Sequence, residues 1–160
     1  MWLPPGVGED HPVKTFDLRR AEPGRYPRLE AALATVNRDL AATLPDQPPL
    51  ALMVWEEQVY VAVSDGTWHH NGLQEPDDDD LALGPVADAA QETMADRLWL
   101  VWPMCPSHKI GTHLRPEGTA ADWDWDDGGS GRLVWWCRGG TGGGDCHDLA
   151  PVGELGGERG

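Results

Sequence analysis

The stretch Leu50-Ala51-Leu52-Met53-Val54-Trp55-Glu56-Glu57-Gln58-Val59-Tyr60-Val61-Ala62-Val63 decides the fold. Residues 50–55 and 58–63 are two runs rich in β-formers, separated by a pair of carboxylates. Val59, Val61 and Val63 alternate, and a period of two places all three on one face of a strand. The runs predict a pair of antiparallel strands connected at Glu56-Glu57. The turn-forming Ser64-Asp65-Gly66-Thr67 ends the second one.

Toward the N-terminus, Leu29, Leu33, Val36 and Leu40 recur at spacings of four, three and four, the stripe of an amphipathic helix over residues 28–44. Arg28, Glu30, Arg38 and Asp39 are then available to face water, and Pro45, Pro48 and Pro49 stop the helix. The first 27 residues are rich in Pro and lack periodicity, which predicts an irregular arm. Toward the C-terminus, residues 64–84 read as a loop carrying His69-His70 and four consecutive Asp at 77–80. A second helix is expected over 85–98. Pro85 suits its first turn, Val86, Ala90 and Met94 mark one face, and Asp88 lies near the positive end of the dipole. Beyond residue 100, Gly, Trp and Cys rise and helical periodicity ends. The predicted organisation is an irregular arm over 1–27, a small acidic α+β domain over 28–100 and a β-rich module over 101–160. Two helices pack against a short antiparallel sheet in the middle part.

The 160 residues carry 27 acidic and 12 basic side chains, a net charge of −15. Residues 51–100 alone hold 11 acidic groups against 1 basic. Such a balance excludes general nucleic-acid binding, which needs excess Lys and Arg for the phosphates. It equally excludes docking on anionic membranes. An apolar fraction of 40% supplies a core. No run approaches the roughly 18 apolar residues of a membrane helix. The N-terminus has neither a basic region nor an apolar run, and so no secretion signal is expected. Three Cys, all after residue 104, make a poor disulfide framework, and a cytoplasmic location is expected. Ten Arg against two Lys reads as the bias of a GC-rich genome.

Trp102-Pro103-Met104-Cys105-Pro106-Ser107-His108 is the strongest chemical signal. A Cys and a His three positions apart in a Pro-containing turn can aim a thiolate and an imidazole nitrogen at one ion, as in the knuckles of zinc sites. A second half follows the strand-like residues 132–136, as Cys137 and then, beyond a Gly-rich insert, Cys146-His147. Cys105, His108 and Cys137 supply three ligands of a tetrahedral structural zinc, either Cys146 or His147 supplies the fourth, and His113 is a spare. The surplus of donors favours a closed structural site over a catalytic one with a water position. Neither a His-Glu-x-x-His helix nor a deaminase pattern is present.

The helix beginning Ala87-Asp88-Ala89-Ala90-Gln91-Glu92, the Trp102-Pro-x-Cys-Pro-x-His108 turn, His113-Leu114, Trp136-Cys137 and the run 150–155 together resemble small uncharacterised actinobacterial proteins. In those, similar Trp-Pro-x-Cys-Pro-x-His and Trp-x-Cys elements close the chain. The resemblance spans about residues 86–155 and implies a zinc-ribbon-like tail, with no activity attached. The long Gly-rich insert after Cys137 departs from that pattern.

In Asp122-Trp123-Asp124-Trp125-Asp126-Asp127, alternation gathers Trp123 and Trp125 on one side if the segment is extended, with Asp124 and Asp126 beside them. Exposed Trp amid acid is what a binding surface for a basic protein would look like. A hairpin whose two Trp pack on the metal module is the competing reading. His69-His70 reads as a solvated loop pair and Asp77 to Asp80 as a solvated acidic run. Arg19, Arg20, Arg25 and Arg28 form the only basic cluster. Two functions remain in view. The first is a non-catalytic, zinc-stabilised acidic interaction protein, an adaptor, accessory subunit or inhibitor of immunity type, that binds a basic protein partner. The second is a zinc hydrolase with an open metal position.

Overall fold

Glu56 and Glu57 both take left-handed backbone angles, φ 52° and 65°, and turn the chain so that β2 (Ala51–Trp55) and β3 (Gln58–Ala62) pair antiparallel, with Val54 opposite Val59. Two successive positive φ values give the mirror-image turn whose twist suits a two-residue hairpin. The hairpin is the one expected from the sequence, turn included. This computed structural model describes residues 18–78, 81–119, 131–139 and 146–156. In chain order the elements are β1 (Arg19–Arg20), α1 (Pro27–Thr43), β2, β3, α2 (Leu83–Leu98), β4 (His113–Pro116), β5 (Leu133–Cys137) and β6 (His147–Pro151). Two antiparallel three-stranded sheets result, ordered β1-β2-β3 and β4-β5-β6. The fold is α+β.

Helix α1 follows the predicted stripe: Leu29, Leu33, Val36 and Leu40 are buried. Its N-terminal N–H groups are satisfied from afar, because Glu75 accepts from Arg28 N at 2.9 Å and from Leu29 N at 3.3 Å. A carboxylate there also complements the positive end of the helix dipole. Helix α2 buries Val86, Ala90 and Met94 as expected and starts two residues earlier than the Pro signal indicated. Asn37 locks α1 to the start of β2, its amide donating to Leu50 O and accepting from Leu50 N.

Three expectations are revised. The arm expected to be irregular over 1–27 contributes β1, whose Arg19 and Arg20 pair with Val54 and Met53. Asp39, placed on the wet side of α1, is fully buried. Its position follows from what meets it: Trp135 Nε1 and the backbone N–H groups of Gly153 and Leu155 all donate to its carboxylate. His70, read as solvated, lies along β3 instead. Its Nε2 accepts from Val61 N at 2.9 Å and its Nδ1 bonds Asn71 O. The apolar core runs across residue 100, joining Leu29, Val36, Val61, Val86 and Met94 to Trp102, Leu114, Trp135 and Val152.

Candidate metal centre

The end of the β5–β6 ladder in the second sheet and the turn that follows Trp102 together assemble a cluster of donors. After Trp102, whose Nε1 donates to Thr43 Oγ1 at 2.9 Å, the chain doubles back in a tight turn. Cys105 N donates to Ile110 O and Lys109 N donates to Cys105 O, each at 2.8 Å, while Lys109 takes φ 60°. Met104 and Gly111 form a bridge across its base. Thr112 anchors the turn to Pro103 through both its backbone N and its hydroxyl, and Gln91 of α2 donates to Trp102 O and Thr112 O. The turn is thereby fixed to the body of the protein on two sides.

The other half comes from the β5–β6 ladder. Pairing runs Val134 to Pro151 and Trp135 to Ala150, then shifts by one residue, so that Trp136 opposes Asp148 and Cys137 opposes His147. Directly opposed residues project to the same side of a sheet. The one-residue irregularity at Leu149 therefore sets His147, rather than Asp148, beside Cys137. Asp148 is held by Arg115, at 2.9 Å from Nη2, and the Arg115 guanidinium lies over the Trp136 ring.

Ligand atoms of Cys105, His108, Cys137 and His147 all lie within 4.8 Å of one another. Cys105 Sγ is 3.6 Å from His108 Nδ1 and 3.6 Å from His147 Nε2, and Cys137 Sγ is 3.4 Å from His108 Nδ1. Metal–ligand bonds of roughly 2.0–2.3 Å at tetrahedral angles separate neighbouring donors by roughly 3.3–3.8 Å. The sulfur–nitrogen distances fall inside that window. One imidazole nitrogen facing two sulfurs is the pattern of donors sharing an ion, since a single N–H serves one acceptor well. The group can hold a metal ion.

Electrostatics favour one thiolate before any ion arrives. Burial raises the Cys105 thiol, yet hydrogen bonds from the His108 backbone N–H, its ring and the Ser107 N–H outweigh that and bring it down to about 6. Burial pushes the Cys137 thiol up, and the neighbouring charge of Cys105 adds to it, although Gly139 N donates to its sulfur at 3.3 Å. Two thiolates this close need a cation between them to ionise together.

The residues named from sequence divide accordingly. Cys105, His108, Cys137 and His147 come together; Cys146 is exposed and stands outside the group, and His113 lies against the Trp136 ring instead. Trp123, Asp124, Trp125 and Asp126 lie outside the described residues. Missed from sequence was the buried Asp39, for which spacing gave no sign. No helix among the described residues is long and apolar enough to cross a membrane. Comparison of the chain with family models, with curated proteins and with solved structures finds no match.

Proposed function

We propose that this chain is a non-catalytic, zinc-stabilised acidic interaction protein of the cytoplasm that binds a basic protein partner. The four-donor set carries the reading. Two thiolates and two imidazoles are a typical structural zinc set, and zinc accepts tetrahedral geometry without preference from its d-electrons. A hydrolytic zinc keeps one position for water, whereas four protein donors within 4.8 Å of one another fill the tetrahedron. The nearest carboxylate in the β5–β6 ladder, Asp148, is occupied by Arg115 rather than aimed at the donors. The turn at residues 105–110 and the β5–β6 pair would then form the two halves of a zinc-ribbon-like module.

The charge of −15 supports a basic partner, because it opposes nucleic acid and anionic lipid alike. Metal analysis of purified protein tests the zinc. About one zinc per chain is expected, with loss of both metal and thermal stability in Cys105→Ser. Full stability without metal rejects the structural site. Capture of the partner should weaken steeply as salt rises, and salt-insensitive capture rejects the electrostatic reading.

A further inference from the structure

From Leu98 to Trp102 the chain alternates. Leu98, Leu100 and Trp102 pack on the core, while Trp99 is 89% exposed and Val101 56% exposed. Trp99 ends α2 with φ 57°, its N–H donating to Met94 O. A bulky residue in the left-handed region costs about 1–2 kcal/mol. Here that conformation accompanies an outward Trp side chain. Val101 touches the backbone at Gly111, where an added Cβ would meet its Cγ1 at 2.7 Å, and Gly111 bridges Met104. Met104 and Ile110, also exposed, thus adjoin Val101 on the turn that carries Cys105 and His108.

Outward on α2 are Asp88, Glu92 and Asp96, exposed and spaced by four, of which Asp96 lies 3.4 Å from His69 and 3.5 Å from Arg97. That spacing sets three carboxylates one turn apart on one face, over about 12 Å of helix. Val86, Ala90, Thr93 and Met94 occupy the opposite, buried face. Acid stripe and apolar group are continuous through Trp99, which lies three positions beyond Asp96. An exposed apolar patch beside a run of carboxylates marks a recognition surface, here with Arg97 and Lys109 near Trp99 and Ile110 in the chain, and Trp is the residue type that most often dominates binding energy.

We propose that this face, Asp88, Glu92 and Asp96 with Trp99, Val101, Met104 and Ile110, docks a cationic amphipathic helix of a partner protein. The inference rests on the reading of the chain as an acidic interaction protein and localises its contact. The partner's apolar stripe meets Trp99 and the turn, and its Lys or Arg residues, one turn apart, meet the carboxylates of α2. The metal centre fixes the turn from which Met104 and Ile110 project, giving the ion a part in recognition as well as in stability.

The test uses the full metal-loaded chain and a labelled synthetic Lys/Leu peptide patterned as an amphipathic helix, titrated by fluorescence anisotropy. Trp99→Ala and Glu92→Lys are each expected to weaken binding about tenfold or more. Glu154→Lys, beyond β6 and beside Arg132, makes the same charge change and is expected to leave binding within about twofold. All three sites are at the surface, so unchanged thermal melts confirm folding. A scrambled peptide of the same composition should bind weakly, and equal binding overturns the helical occupant. Equal binding by all variants overturns this surface while a cationic partner stands. Absence of binding by every cationic peptide overturns both this inference and the reading beneath it.

Discussion

The indole N–H of Trp135 donates to Asp39 Oδ2 at 2.7 Å, joining two fully buried side chains that lie 96 positions apart in the sequence. The same oxygen accepts Gly153 N at 2.6 Å, and Oδ1 accepts Leu155 N at 2.8 Å. Gly153 sits at φ 98° against α1, where a Cβ would strike Thr35 Cγ2 at 2.6 Å. One carboxylate of α1 thus fastens β5 and the chain beyond β6.

Asp39→Asn is expected to be nearly as damaging as Asp39→Ala. Both oxygens accept from N–H donors, so an amide must turn its own NH2 toward one of them. Leaving buried donors unsatisfied costs on the order of 3 kcal/mol or more. Urea unfolding followed by Trp fluorescence reads the loss; a change below about 1 kcal/mol for Asn would contradict the geometry.

His147→Ala and Cys146→Ser separate the two neighbours that the sequence offered as the fourth ligand. His147→Ala should lose the metal and lower the melting temperature by several degrees, while Cys146→Ser should retain the wild-type metal content. His113→Ala should behave like Cys146→Ser. Inductively coupled plasma analysis beside thermal melts decides it.

His70 supplies a pH dependence. Burial holds its imidazole below the ordinary range, and Val61 N–H, which can only donate, requires an unprotonated Nε2. A base with a lowered folded pKa binds fewer protons folded than unfolded. Its stabilisation is complete above the unfolded value of about 6.5 and is lost as the pH falls from there through the lowered folded value. Melting temperatures at pH 7.5 and 5.5 should differ less in His70→Gln, which keeps an acceptor but cannot titrate, than in the wild type. Equal differences would remove His70 from the acid response.

Glu56→Asn with Glu57→Gly should stabilise the hairpin by about 1 kcal/mol, because Asn-Gly adopts two positive φ values with less strain than Glu-Glu. A rise of a few degrees in melting temperature is expected. A fall would mean that the carboxylates make contacts stronger than the strain that the substitutions relieve.

The fold was legible where periodicity was strong. The stripe of Leu29, Leu33, Val36 and Leu40 and the alternation of Val59, Val61 and Val63 each report a buried face directly. Asp39 defeated the same logic, because a carboxylate is buried only when distant donors converge on it, and Trp135, Gly153 and Leu155 are distant in sequence. Three of the four clustered donors were legible from the Cys-Pro-Ser-His turn and the Cys at the end of a strand-like run. The choice of His147 over Cys146 was not, since the register shift at Leu149 sets it and pairing register leaves no mark on composition.

That Cys137 and His147 are ladder partners has a consequence for the nine residues between them. Their separation is set by the strand pairing, and Gly139, which follows Cys137 by two, donates its N–H to the Cys137 sulfur. Closure entropy grows with the logarithm of loop length, about 0.6 kcal/mol for each doubling. Chain length at this point is therefore nearly neutral. A short epitope tag spliced between Gly142 and Gly143 is expected to change the stability of the chain by less than about 1 kcal/mol, read by thermal melts.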